Sequence, residues 1–228
     1  MAKRIGILWI LVWGLAAVAP APAVDVAGHV LVVGRPPHAV VTTIVYAESL
    51  EGQTPVIPGH FKMTQRDKTF VPHVLAVPVG STVEFPNVDA VFHNVFSLSP
   101  PEPFDLGLYR SGASKTRVFS KPAIYRLFCN IHPQMSATIL VLSTSLIAEA
   151  DPTGNFHLNL APGRYRLTAW SERSAPTSVE VTLSSATSSL PELNLDESKF
   201  VEVGHKNKYG QDYPHSSYDP RGSAQSKW

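Results

Sequence analysis

From residue 75 to residue 85 the chain reads Leu75-Ala76-Val77-Pro78-Val79-Gly80-Ser81-Thr82-Val83-Glu84-Phe85, with apolar side chains on the odd positions either side of Gly80. Side chains of an extended chain alternate between two faces, so this period of two predicts two half-buried strands joined by a glycine turn. Pro78 falls on the other face and lacks a backbone donor, which suits an edge strand. Similar runs predict strands at 94–98, 115–119, 124–129 and 138–142, with turns at Gly112 and Pro122. Twenty prolines and fourteen glycines, many lying between short Val, Ile, Phe and Tyr runs, extend the all-β reading to the whole chain. Residues 51–143 read as one compact antiparallel sandwich.

A second pattern follows it. Asp151-Pro152-Thr153-Gly154-Asn155-Phe156 precedes Pro162-Gly163-Arg164-Tyr165-Arg166-Leu167, and Val179, Val181 and Leu183 alternate beyond. This resembles the carboxypeptidase-regulatory or transthyretin-like sandwich, in which D-x-x-G-x-F precedes P-G-x-Y-x-L. That family opens with two strands, which are matched here far upstream by Gly28-His29-Val30 and by Pro37-His38-Ala39-Val40-Val41. The resemblance implies one small sandwich split in sequence, residues 24–50 and 144–198, with residues 51–143 inserted between its halves. A tandem layout, with residues 24–49 as extra strands of the first sandwich, stays open. Residues 199–228 have few aliphatic side chains and read as a disordered tail. Nothing in the spacing of Tyr209, Tyr213 and Trp228 demands a docking role.

The N-terminus reads as an export signal. Lys3 and Arg4 precede an apolar run over residues 5–19, too short to span a bilayer comfortably, and Ala21-Pro22-Ala23 supplies small residues before a cut at Val24. No cysteine stands near the cut, so a lipid anchor is not expected, and no later stretch is long and apolar enough for a membrane span. Losing Lys3 and Arg4 turns the formal charge of +1 slightly negative. A near-neutral chain without a basic run argues against nucleic acid as a partner.

A single cysteine in an exported chain has no internal disulfide partner, and exposed it would oxidise. Taken alone it reads as a small buried hydrophobe. Its neighbours give it chemistry. Cys129-Asn130-Ile131-His132-Pro133-Gln134-Met135 places a thiolate, an imidazole and a thioether in one loop, C-x-x-H-x-x-M, and His93 adds an imidazole from an earlier strand. Two imidazoles and one thiolate with a weak axial thioether form the donor set of a blue-copper site. Zinc is the rival metal, but its sites seldom use methionine. The other histidines read as surface or packed residues, with His60 and Met63 too slight a pair to hold a metal.

The stretch from Phe70 to Val95, with Phe85-Pro86-Asn87 and His93-Asn94-Val95, resembles the cupredoxin half-motif that ends in the first ligand histidine. Ile124-Tyr125-Arg126-Leu127-Phe128-Cys129 is similar to the strand that delivers the ligand cysteine, and the spacing of the loop resembles that of the amicyanins, blue-copper carriers of bacterial methylamine oxidation. The resemblance implies a cupredoxin Greek-key sandwich holding one type 1 copper. His93, Cys129 and His132 would be its equatorial ligands and Met135 the axial one. It further implies that Asn94 ties the two ligand segments together by hydrogen bonds. A periplasmic, non-enzymatic carrier of single electrons is expected, with a redox partner docking near His132 on the apolar rim of Ile131, Pro133 and Gln134. Phe128 is expected to pack against the second sandwich.

Other functions fare less well. A thiol enzyme would need a C-x-x-C partner or a helix N-terminus to activate Cys129. An oxidase would need a second, His-x-His set of ligands. A copper-delivery protein or a β-sandwich interaction module of the same fold stays open, though three methionines are few for delivery.

Overall fold

The computed structural model describes residues 22–52, 54–187, 189–201 and 204–213. The expected signal at residues 1–21 and the last fifteen or so residues of the chain, Trp228 among them, lie outside the described residues. Among those described there is no helix, and so none long and apolar enough to cross a membrane. The protein is all-β.

The described residues open with β1 (Val24–Val33) and β2 (Ile44–Ser49). Ten strands follow: β3 (His60–Lys62), β4 (Thr64–Arg66), β5 (Thr69–Val71), β6 (Val74–Pro78), β7 (Thr82–Pro86), β8 (His93–Ser97), β9 (Phe104–Tyr109), β10 (Ser114–Val118), β11 (Ala123–Phe128) and β12 (Ser136–Leu142). The last five are β13 (Ile147–Glu149), β14 (Asn155–Leu160), β15 (Gly163–Trp170), β16 (Thr177–Leu183) and β17 (Leu193–Asp196).

Strands β3 to β12 form one sandwich. A sheet in the order β6-β12-β11-β8-β9 faces a sheet in the order β10-β7-β3, and β4-β5 is a hairpin at its end. The alternation around Gly80 becomes β6 and β7, but these lie in opposite sheets: Gly80, at φ +86°, turns the chain from one layer to the other. A left-handed turn there suits glycine, which has no Cβ to clash. Val77, Val83 and Phe85 point inward and are fully buried with Val95, Phe119, Tyr125, Leu127 and Ile139. Pro78 ends the edge strand β6, where its missing N–H costs no ladder bond. The expected antiparallel sandwich is in fact mixed, since β12 runs parallel to β6 and β3 parallel to β7. Both parallel partners arrive by long crossovers, which local alternation does not reveal.

The first two strands find their partners beyond β12. β1 lies between β14, antiparallel, and β17, parallel; β2 lies between β13 and β15 in the sheet β13-β2-β15-β16. The two sheets enclose Val26, Val30, Val45, Ala47, Phe156, Leu158, Leu160, Leu167 and Leu195. Gly28 leaves room for the Phe156 ring paired across from it: a Cβ at Gly28 would stand 2.2 Å from that ring. The strand expected at residues 37–41 is a loop. Pro36 and Pro37 bring no backbone donors, the Ala39 N–H turns back to the Pro36 carbonyl, and Val40 is wholly exposed. Its place in the sheet belongs to β2.

A third cluster, Ile44, Val74, Leu140, Leu142 and Trp170, joins the two sandwiches. Beside it His73 Nε2 meets Glu172 at 2.8 Å, and the Thr138 hydroxyl bonds the same carboxylate. The outer face of β12 is thus covered by the second sandwich, which leaves β11 and β8 to be covered by something else.

Candidate metal centre

Strand β11 ends at Phe128, and Cys129 begins a loop that returns to β12. The loop closes on itself: the Met135 N–H donates to the His132 carbonyl, and the Cys129 N–H to the Met135 carbonyl, at 3.0 and 3.2 Å. Cys129 and Met135 are both fully buried in the core of the first sandwich. His132, at the crest of the loop, keeps part of its surface in solvent, and Ile131, Pro133 and Gln134 around it are exposed.

His93 starts β8 and is fully buried. Its Nδ1 lies 3.0 Å from His132 Nδ1 and 4.0 Å from Cys129 Sγ, and His132 Nδ1 lies 3.6 Å from the same sulfur. Metal–nitrogen and metal–thiolate bonds of about 2.0–2.3 Å set donors of one ion roughly 3–4 Å apart. The three donor atoms therefore fit a shared ion, and their softness suits copper. Burial, then the neighbouring His93 and Lys68, hold His132 below the ordinary imidazole value, against a smaller opposing pull from Asp89. A ring that stays neutral keeps its lone pair available to a metal.

Asn94 follows His93 in β8. Its Oδ1 accepts the Asn130 N–H at 2.8 Å, which joins β8 to the residue after Cys129, and its Nδ2 donates to Asp105 at 2.6 Å.

Three further groups were not foreseen. Asp89 accepts from His93 Nε2 at 2.7 Å, which leaves Nδ1 as the lone-pair nitrogen of a neutral ring. Asp89 is itself gripped by the N–H groups of Asp67 and Lys68, at 2.6 and 2.9 Å, and its own N–H goes to Asn87. Burial pushes its carboxyl up, but the Lys68, His93 and Asp67 hydrogen bonds outweigh that and hold it below the usual carboxylate range. Asp67 and Lys68 form the tip of the β4-β5 hairpin, both with positive φ, as a two-residue type I′ turn requires. The signal in sequence was a carboxylate four residues before a candidate ligand.

The second group is the tail. Residues 204–213, expected to be disordered, lie against the 129–135 loop. They need no core of their own, because they use apolar surface already folded. The third is Phe128, whose ring partners lie outside the second sandwich. It packs on Phe96 and stacks on His205, with ring centroids 5.8 and 4.1 Å apart.

No family model matches the chain, and no curated protein matches it either. Among solved structures it is similar to a purple cupredoxin from Nitrosopumilus maritimus, at 24% identity over 36% of this chain and 98% of that one, TM-score 0.34. It is similar to an amicyanin mutant in the Cu(I) form, at 20% identity over 36% of this chain and 82% of that one, TM-score 0.35. A Cu-containing nitrite reductase from Thermus scotoductus SA-01 overlaps at 27% identity, covering 50% of this chain and 28% of that one, TM-score 0.35.

Proposed function

We propose that the chain is an exported type 1 copper protein that carries single electrons. His93, Cys129 and His132 would hold the ion in plane and Met135 on the axis. The observation that carries the reading is the convergence of two imidazole nitrogens and one thiol within 4.0 Å of one another, two of the three residues fully buried. Bound copper supplies a one-electron Cu(I)/Cu(II) couple. The protein's part is to fix the donors and keep water away, so that little moves when the charge changes. Asp89 fixes the His93 ring, Asn94 fixes the loop against β8, and the core of the sandwich encloses Cys129 and Met135. Enclosure of both sulfur ligands favours a resident ion over one handed on, which sets electron transfer above copper delivery.

His132 is the ligand nearest solvent, and Ile131, Pro133 and Gln134 carry no charge. A redox partner docking there would meet an apolar surface that desolvates cheaply and releases quickly. The periplasm, suggested by Lys3, Arg4 and the apolar run that follows, is the compartment of this reading, with methylamine or a related oxidation as one source of electrons. Residues 51–143 would be the copper domain, inserted between residues 24–50 and 144–198 of the second sandwich.

Addition of Cu(II) to the purified protein tests the reading. Thiolate-to-copper charge transfer should colour it blue or green, with a narrow copper hyperfine splitting in EPR. Cys129→Ser should abolish the colour, and Met135→Gln should keep it and shift the potential. A colourless protein that takes up zinc instead would overturn the reading.

A further inference from the structure

Residues 204–213 touch the 129–135 loop from outside the sandwich. Tyr213 donates its hydroxyl to the Cys129 carbonyl at 2.9 Å. Its ring meets His205 edge-on, and His205 Nε2 faces the Pro133 carbonyl at 2.6 Å. The Lys208 N–H donates to Asn130 Oδ1 at 3.1 Å, and the Lys208 ammonium meets Asp105 Oδ2 at 2.7 Å. Apart from the ring contact inside the tail, these contacts end on the loop or on Asp105 of β9, which also holds Asn94.

Together they close a circuit. Asn94, next to His93, accepts from the Asn130 N–H and donates to Asp105; Lys208 links Asp105 back to Asn130. The neighbours of two candidate ligands are thereby tied through one tail residue. Lys208 is not a loose surface lysine, since the turn that carries it is built locally. Asn207 Oδ1 accepts the N–H of Tyr209 and of Gln211, the Asn207 N–H donates to the Gln211 carbonyl, and Gly210 takes a left-handed φ of +74°. The Asn207 side chain that organises the turn is buried.

The loop needs such support. Its own closure rests on two backbone hydrogen bonds, and its crest, residues 131–134, stands largely in solvent. Such a crest leaves His132 room to shift relative to Cys129 in the core and His93 in its strand.

We propose that Lys208 and Tyr213 are positioning residues of the metal centre: the segment 204–213 is a strap that holds the ligand loop against β8 and keeps the spacing of thiol and imidazoles. The proposal rests on the copper reading for its consequence, but the holding of the loop stands on its own. It makes the C-terminal segment part of the site, where a linker or a mobile tail would be spectator.

The test uses the full chain with Tyr213→Phe and Lys208→Met, each compared with the unaltered protein. With copper bound, both variants should keep the charge-transfer band, shift in reduction potential, and lose Cu(I) to a strong chelator about five- to tenfold faster, the effect of one or two lost hydrogen bonds. Without metal, the Cys129 thiol should react with a soluble disulfide reagent at least about fivefold faster in both variants. Unchanged thiol reactivity in both variants overturns the strap whatever the metal. Faster labelling with unchanged potential and release overturns the positioning role and leaves a mere cover. If the unaltered protein shows no copper colour, the copper reading falls, and the thiol rates alone decide whether the strap holds the loop.

Discussion

His93 is held from behind by a carboxylate that is itself anchored. Its outer nitrogen faces Asp89, and Asp89 accepts two N–H groups from the hairpin tip at Asp67 and Lys68. The tautomer is therefore set before any ion arrives, and the hairpin contributes to the site through Asp89. Asp89→Ala removes that anchor, and the ring gains freedom to turn and to exchange its proton between nitrogens. The expected result is a loss of about 10- to 100-fold in copper affinity with all four candidate ligands intact, read by competition with a chelator of known affinity. An affinity equal to that of the unaltered protein would show that packing alone orients His93. Asp89 escaped the sequence reading because a search for donor types passes over a carboxylate that binds no metal. The cluster of His93, Cys129 and His132 was legible, because a lone cysteine, a histidine and a methionine at fixed spacing leave few other uses for the thiol.

At the scale of elements, alternation read well where a strand has one wet face. Val77, Val83 and Phe85 are fully buried while Ala76, Thr82, Glu84 and Pro86 are partly exposed, as the pattern around Gly80 required, although Leu75 and Val79 are only partly buried and Pro78 is buried. It misled at Ala39-Val40-Val41, a run with strand composition that the two preceding prolines turn away from any ladder. It was mute on the pairs β12-β6 and β3-β7, since the residues of a strand do not say which distant strand lies beside it. The contacts of residues 204–213 were missed for a different reason. Composition gauges whether a segment can bury a core of its own, and residues 204–213 cannot. They order instead on a face that β11 and β8 have already built, where Phe96 and Phe128 wait for a cover.

Across the whole molecule, the seam between the sandwiches combines the Ile44, Val74, Leu140, Leu142 and Trp170 cluster with one ion pair. The Glu172 hydrogen bond raises His73 above its ordinary value, against the opposing effect of burial. Burial pushes Glu172 up, but the His73 and Thr138 hydrogen bonds outweigh it and hold the carboxyl low. Stability from the raised histidine is complete below its ordinary pKa of 6.5 and is lost as pH rises through the folded value above that. Stability from the depressed carboxyl is present above its ordinary 4.5 and is lost as pH falls through the folded value below that. Urea unfolding should therefore separate the unaltered protein from Glu172→Gln most clearly between these two ordinary values. The gap should narrow on both sides and stay at about 1 kcal/mol or less, because His73 is half exposed. A gap that keeps growing above neutral pH would contradict this assignment.

The pairing of β1 also sets an order of events in time. Val24 lies against Leu160 and Val30 against Leu193, so the strand that comes first in the chain acquires neighbours only when nearly everything after it has arrived. Strands β3 to β12 depend on no such delay, because their partners all lie among themselves. Closing a long loop before any contact repays it is slow. On refolding, the core around Cys129 should therefore form first, while β1 and β2 wait with open edges. In a chain that starts at Val24 and carries Trp228→Phe, so that Trp170 is its one tryptophan, Cys129 should become protected from pulse labelling before Trp170 fluorescence reaches its native value. Simultaneous protection and fluorescence change would mean that the two sandwiches assemble as one. A newly made chain would then spend its most vulnerable interval with its first strands unpaired, and a chaperone in the folding compartment would find its target at the N-terminal strands and not at the metal loop.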